Sequence, residues 1–528
     1  MSRPSPLRPS TAPSPTPPPL VAAAVACGAL SAAWIIAGDP TGLALRDLPL
    51  DDAWIHLVYV RGLVREAMPT YNPGVVESGF SSPLWLLASL PGYLLVTAAG
   101  LPVALGAKLT SGLAGVAAAL ALGRLARTLG GGVVAALATT ALFYLSPGSS
   151  FSAASGMEVT LALACAAAAL GCDDDRPARA GAWLAAATLA RPECLALVPV
   201  LALARARGHR PGAAARRALA VAAPPALAVA AWALALWSLT GHPLPNTFVV
   251  KAGVPRAWGD NLVRFLRHVV LEETPWHSVA MAALAAAGWW WLRGRDPDAR
   301  WRQRTLLAAG VVGVAGVLAT RNLIPGPDFY QTRYFLPFSL LLLPFAACGL
   351  EAAWSTVRRG APLARAGVGA ACLALVVVLG LAQAKVRWSY RAHCREIYMV
   401  HTIPGLEVAR NTPAGTLVAA EGAGSLRFHG DRAVLDLVGL NASALAHARG
   451  ARARACLIVR AAPAIFVIPI EWERSFAPMF TLRRVRTYGR ALNPSETVMT
   501  GVVVLDAAQV RPEAVAACAL PGGKAPPR

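Results

Sequence analysis

From Leu20 to about residue 384 the chain alternates long apolar runs with short polar segments rich in arginine. The runs fall at about 20–38, 102–123, 131–147, 156–171, 178–190, 193–206, 217–239, 277–293, 305–320, 334–351 and 366–384. At roughly 20 residues per bilayer crossing, they predict about 11 transmembrane helices. The runs 178–190 and 193–206 are short for a crossing and meet at Arg191-Pro192-Glu193. They predict either a tilted, shortened pair with an arginine and a glutamate at its tip, or a plain turn closed by an ion pair.

The long loop after the first run holds two further pieces. Asp51-Asp52-Ala-Trp-Ile-His-Leu-Val-Tyr-Val-Arg-Gly-Leu-Val-Arg-Glu66 places apolar residues at helical spacing behind an acidic start, which predicts an amphipathic helix. In that register Asp52, His56 and Tyr59 share a face, and Ile55 and Val58 are placed toward the bilayer. Ser82 to Val96 is apolar enough to span, but counting it would put Arg124 and Arg127 outside and invert every later basic loop. Charge parity therefore predicts a juxtamembrane helix there, interrupted at Pro91-Gly92.

The two ends differ from this pattern. Residues 1–19 are rich in proline and serine and predict a disordered cytoplasmic leader. A cleavable signal peptide is the rival reading, weakened by the length of the apolar run that follows. Residues 20–384 read as one transmembrane domain. From Lys385 to Arg528 the composition is that of a soluble domain. Short apolar stretches at 416–420, 433–437, 464–469 and 498–505 predict buried strands, with helices near 394–410 and 441–459. The result is a C-terminal α/β domain of about 140 residues. Gly422 and Gly424 lack the rest of a dinucleotide fingerprint and predict a tight strand-to-helix turn.

Composition agrees with a polytopic membrane protein: 56% of residues are hydrophobic and 15% charged. The formal charge of +21 is read as topology, not as a nucleic-acid surface, because the arginines cluster in short loops. Arg124/Arg127, Arg176/Arg179, Arg205/Arg207/Arg210/Arg216/Arg217, Arg293/Arg295/Arg300/Arg302/Arg304 and Arg358/Arg359/Arg365 then face the cytoplasm with the N-terminus. The long loops and the tail face out. Cys394, Cys456 and Cys518 lie in that tail and admit one disulfide. No cysteine or histidine spacing builds a metal site.

This topology gathers a set of polar residues at the outer face: Asp51, Asp52, His56, Arg61, Asn72, Glu77, Lys108, Glu158, Arg191, Glu193, Asn246, Lys251, Asp328, Arg333 and Tyr334. A lipid-phosphate sugar donor presents an anionic leaving group that suits Lys or Arg, and an acceptor hydroxyl suits a carboxylate base. Plainer roles compete: an N-cap for the Asp pair, snorkelling for Lys108 and Lys251, interfacial anchoring for Arg333.

The order of motifs is more specific than any one of them. Asp51-Asp52, Tyr71-Asn-Pro-Gly with Glu77, Ser155-Gly-Met-Glu158, Ala190-Arg-Pro-Glu193, Pro243-Leu-Pro-Asn-Thr-Phe-Val-Val-Lys251, Arg333-Tyr-Phe-Leu-Pro337 and Val434-Leu-Asp-Leu-Val-Gly-Leu-Asn441 follow one another. Over about residues 20–445 this series resembles the GT-C superfamily of polyprenyl-phosphate-dependent glycosyltransferases, most of all the mycobacterial arabinofuranosyltransferase B group. The resemblance implies a GT-C fold with two juxtamembrane helices in the first outer loop. It further implies a bacterial inner-membrane enzyme with its active site and C-terminal domain outside the cytoplasm. The donor would be a polyprenyl-phosphate sugar, the acceptor a glycan or lipid hydroxyl, and the transfer inverting. Asp51 would be the general base with Asp52 assisting. Lys251 and Arg333 would hold the donor phosphate, and Glu77, Glu158, Arg191, Glu193, Asn246 and Tyr334 would bind sugar or acceptor. A divalent cation on the Asp pair is admitted by the family, not assigned. A secondary transporter, or an extracytoplasmic sensor or scaffold of envelope assembly, are the readings from other classes. A transporter should show internal repeats and midplane sites, and the sequence has neither.

Overall fold

The computed structural model describes residues 18–252, 258–272, 275–293, 299–321, 323, 329–489 and 502–519. Most of the expected leader, Asp328 and the first part of the strand expected at 498–505 lie outside the described residues. Among the described residues six helices are long and apolar enough to cross a membrane: Pro18–Ile36, Val103–Thr128, Pro211–Thr240, Arg300–Thr320, Thr332–Arg359 and Pro362–Asn411. The pair Val133–Leu145 and Pro147–Ala154, bent by 69°, makes a seventh if taken as one broken span. The remaining expected runs form shorter or less apolar helices, namely Val159–Leu170, Pro177–Ala190, Leu197–Ala206 and Pro275–Arg293. The chain is a multi-pass membrane protein.

Prolines set the helix starts. Pro83, Pro147, Pro177, Pro211 and Pro362 each stand in a first turn, where the missing N–H breaks no hydrogen bond. Pro91 is different, because the expected interruption at Pro91-Gly92 does not occur and Pro83–Ala98 is one helix with Pro91 inside it. Gly92 explains its neighbourhood. A Cβ there would lie 2.7 Å from the Gly106 carbonyl oxygen, and one on Gly106 would lie 2.5 Å from that of Gly92. The dipeptide marks a close helix crossing, the small-residue contact favoured in bilayers.

The tail is built on a mixed sheet. Its strand order is Ala433–Asp436, Leu417–Ala420, Ile465–Pro469, Val502–Val510, Phe480–Tyr488. The first three strands are parallel and the last two antiparallel to their neighbours. Phe480–Tyr488 was not expected: Arg483, Arg484 and Arg486 hide its pattern, as suits a solvent-facing edge strand. The helix expected around 394–410 is present and continuous with the last long helix: Pro362–Ile397 passes through a wider turn, Tyr398–Thr402, into Ile403–Asn411. Cys456 and Cys518 form a disulfide between the helices Ala451–Ala461 and Pro512–Cys518, and Cys394 is free and buried.

The glycine crossing gives a sharp test. Gly106→Ala should lower the midpoint of thermal unfolding in detergent by several degrees despite alanine's better helix propensity. Gly212→Ala, with open space around it, should leave the midpoint unchanged or raise it.

Candidate active site

The acidic helix, Asp51–Glu66, is buried on every side between Ala53 and Gly62. Ile55 and Val58, expected against the bilayer, are 4% and 1% exposed. The reason is the tail, which closes over the helix. Trp54 packs on Phe428 at 5.1 Å between ring centroids, and Arg61 donates to the Phe428 carbonyl at 2.8 Å. Tyr59 donates to Asn441 Oδ1 at 2.9 Å, while Tyr71 donates to the Ala423 carbonyl at 2.7 Å.

Adjacent residues on a helix point about 100° apart, and the two aspartates accordingly serve different partners. Asp51 turns to the tail, where its oxygens accept the Gly424 N–H at 2.8 Å and the Ser425 N–H at 2.7 Å. Gly424 must lack a side chain, since a Cβ there would come within 2.2 Å of the Asp51 carbonyl oxygen. Asp52 turns to a cavity, where Oδ2 accepts from Lys251 Nζ at 3.3 Å and Arg333 Nη2 at 2.5 Å. Burial would raise the Asp52 carboxyl, but Lys251 and Arg333 outweigh it and hold the group well below the usual carboxylate range. Burial would likewise lower Lys251, and Asp52 more than offsets it, so the ammonium is held above its usual range.

The cavity is partly open, with about 520 Å³ of free space counted together with its mouth. Besides Asp52, Lys251 and Arg333, its charged lining among the described residues consists of Glu158, Arg191, Glu193 and Arg321, four cations against three carboxylates. His56 and Tyr334 also line it. Arg191 pairs with Glu158 at 2.7 Å and with Glu193 at 3.5 Å, and Arg321 also pairs with Glu193. Arg191, Arg321 and Arg333 all stack on the Tyr334 ring, at 4.9, 4.6 and 5.1 Å to its centroid. Arg333 is 3% exposed, and its Nε and Nη1 have no partner among the described residues.

The structure therefore brings together Asp52, Glu158, Arg191, Glu193, Lys251, Arg333 and Tyr334. It sets Asp51, Glu77 and Asn246 outside the cavity lining. Glu77 accepts from Asn246 Nδ2 at 3.2 Å and from the Ser443 N–H at 2.9 Å, so these two residues latch the outer loops to the tail. Lys108 does not snorkel: it is buried and donates to the Ala44 and Asp47 carbonyls at 2.6 and 2.5 Å. Arg321 was missed, although it ends a predicted span on the same side as Arg333. Among the described residues no three His, Cys, Asp or Glu side chains gather as a metal set.

A family model described as a domain of unknown function (DUF8728) matches residues 390–499. No curated protein matches by sequence. Solved structures do match in fold. ArnT from Cupriavidus metallidurans is 15% identical, with a TM-score of 0.60 over 95% of this chain and 98% of its own. That protein has also been solved bound to undecaprenyl phosphate. The Archaeoglobus fulgidus oligosaccharyltransferase is 13% identical, with a TM-score of 0.58 over 92% of this chain and 75% of its own. It has also been solved with an inhibitory peptide and a dolichol-phosphate. The arabinofuranosyltransferase AftD from Mycobacteria is 16% identical, with a TM-score of 0.50 over 92% of this chain and 40% of its own. The fold is the GT-C fold with a C-terminal sheet domain.

The turn that meets Asp51 carries a further carboxyl, Glu421. Its Oε2 is buried without a partner among the described residues. Burial, followed by the charges of Asp51, Asp436 and Asp52, pushes it up to about 8. An acid raised in the folded state holds its proton there after the unfolded chain has lost it. Stability therefore declines as pH climbs from its ordinary 4.5 to about 8. Glu421→Gln should flatten that decline, read as the difference in unfolding midpoint between variant and parent across this window.

Proposed function

We propose that this chain is a membrane glycosyltransferase that moves a sugar from a polyprenyl-phosphate donor to a glycan or lipid hydroxyl, with inversion. The observation that carries the reading is the cavity in which Asp52 meets Lys251 and Arg333. Lys251 and the free nitrogens of Arg333 make a seat for the donor phosphate. Glu158, Arg191 and Glu193 offer hydrogen-bonding partners to sugar or acceptor hydroxyls, with Tyr334 as an aromatic floor. Fold similarity to structures solved with undecaprenyl phosphate and dolichol-phosphate favours such a donor.

In the reaction the acceptor hydroxyl gives its proton to a carboxylate as its oxygen bonds to the anomeric carbon, on the face opposite the phosphate. The bond from that carbon to the phosphate oxygen breaks, and the electron pair leaves with the polyprenyl phosphate. Of the acidic pair, Asp52 is favoured as base because it lines the cavity, whereas both Asp51 oxygens are taken by backbone amides. Lys251 and Arg333 hold Asp52 too acidic to be a good base. A donor phosphate drawing Lys251 and Arg333 toward itself would restore its basicity, so that base strength depends on donor binding.

The same reading sets the orientation. The acidic helix, cavity and tail lie outside the cytoplasm of a bacterial inner membrane, with the N-terminus inside, because the arginine-rich loops belong inside. The Cys456–Cys518 disulfide suits an oxidising compartment.

Full-length protein in detergent, given undecaprenyl-phosphate-linked pentoses and hexoses and envelope glycans as acceptors, should release undecaprenyl phosphate. Asp52→Asn should cut that rate by about 10²- to 10⁴-fold, the usual share of a positioned base. Lys251→Ala should mainly raise KM for the donor. Full turnover by Asp52→Asn with loss in Asp51→Asn would move the base to Asp51; full turnover by both would overturn acid–base use of the pair.

A further inference from the structure

A second pocket lies at the other end of the membrane domain. Its walls are apolar, from Leu125, Leu129, Leu170, Leu201 and Leu306, and its rim carries Asp174, Arg205, Trp301 and Arg302. Three segments run from one pocket to the other. Glu158, Glu193 and Arg321 line the Asp52 cavity, while Leu170, Arg205 and Arg302, further along or at the far end of the same helical segments, line this one. At about 1.5 Å per residue the two are separated by roughly 20–30 Å, the scale of a hydrocarbon core. The pocket thus sits at the opposite membrane interface from the proposed catalytic cavity.

Its rim is built around guanidinium groups. Arg205 is 6% exposed and pairs with Asp174, and it donates to the Cys172 carbonyl at 2.7 Å. Arg302 reaches the same carboxylate at 3.2 Å. Arg217 donates through Nε to the Arg205 carbonyl at 2.9 Å and also reaches the Asp174 carbonyl. Arg207 stacks on the Trp301 ring at 4.2 Å to its centroid. The neighbouring Asp173 is engaged by Arg176 at 3.9 Å. Arg205 and Arg302 thus share the carboxylate of Asp174, itself more than half exposed, while Arg217 rests on backbone carbonyls and Arg207 on a ring beside them, with no carboxylate partner among the described residues. Two buried donors, Arg205 Nε and Trp301 Nε1, have no partner among the described residues.

An apolar cleft with surplus guanidinium and idle buried donors at its mouth matches an amphiphile with a phosphate head. We propose that this pocket binds the headgroup of an anionic phospholipid of the leaflet opposite the catalytic cavity, its acyl chains running along the leucine walls. Arginine and tryptophan at a bilayer interface are the chemistry such a headgroup recognises. The site is independent of the transferase reading, since none of its residues lines the Asp52 cavity.

The test uses the full chain, purified and delipidated in detergent. Dioleoylphosphatidylglycerol, dioleoylphosphatidylcholine or inorganic phosphate is added separately, and binding is read by native mass spectrometry and by thermal unfolding. Phosphatidylglycerol should bind saturably and raise the unfolding midpoint, with little response to the other two. Arg302→Gln should weaken that binding about fivefold, as expected for one interfacial arginine. Trp301→Phe, which keeps the ring and removes the donor, should weaken it as well. Both variants spare the buried Arg205–Asp174 pair and should unfold near the parent's midpoint without lipid. Equal responses to the two lipids, or an Arg302→Gln chain that binds phosphatidylglycerol like the parent, would overturn the site. A response to inorganic phosphate as large as that to lipid would overturn the lipid as its source.

Discussion

The Asp51 carboxylate, accepting the amides of Gly424 and Ser425, is the contact on which the rest of the arrangement depends. It fastens the first turn of the acidic helix to the turn after a parallel strand of the tail. That turn lies at the carboxyl ends of the parallel strands, where α/β sheets commonly leave backbone amides free for an anion. Further ties run parallel to it, including a reciprocal pair between Asn72 and the Val434 backbone, both at 2.9 Å. The acidic helix is thus held between two bodies, and the rotation of one residue along it leaves Asp52 pointing into the cavity. An acidic pair is needed because one acid cannot face both ways.

Much of this was legible in the chain. The acidic start at Asp51, the apolar spacing behind it, and the cations at Arg191, Lys251 and Arg333 all followed from pattern and charge parity. Three of the five strands in the tail sheet matched their apolar stretches closely. What could not be read was the division of labour within the acidic pair, because it is set by contacts some 370 residues away in sequence. The same holds for Glu77 and Asn246, whose polarity suggested a ligand but whose partner is Ser443. Linear spacing identifies polar groups on the right side of a membrane. It does not say whether each meets a substrate or another part of its own chain.

The charges in the cavity follow from burial. A carboxylate out of water is costly unless paired, and Asp52, Glu158 and Glu193 each have an arginine or lysine within contact. The pairing is incomplete on both sides: among the described residues Arg191 Nε and two nitrogens of Arg333 find no acceptor, and Glu158 Oε2 finds no donor. Unspent donors of this kind are expensive to keep in a folded protein. The proposed donor phosphate would satisfy these donors, which single out the cavity more clearly than the carboxylates that first drew notice.

The helix Pro362–Ile397 carries one last consequence. Its 36 residues form a rod of about 54 Å, exposed along most of its first half and held in its second half by buried residues such as Tyr390, which donates to the Ala154 carbonyl at 2.7 Å. A rod of that length acts as a lever: a change of ~5° in its tilt displaces its far end by about 5 Å. Tilt in a bilayer responds to thickness. A change of tilt in this helix would be carried directly into Tyr398–Thr402 and Ile403–Asn411, the helical segments that follow it into the tail.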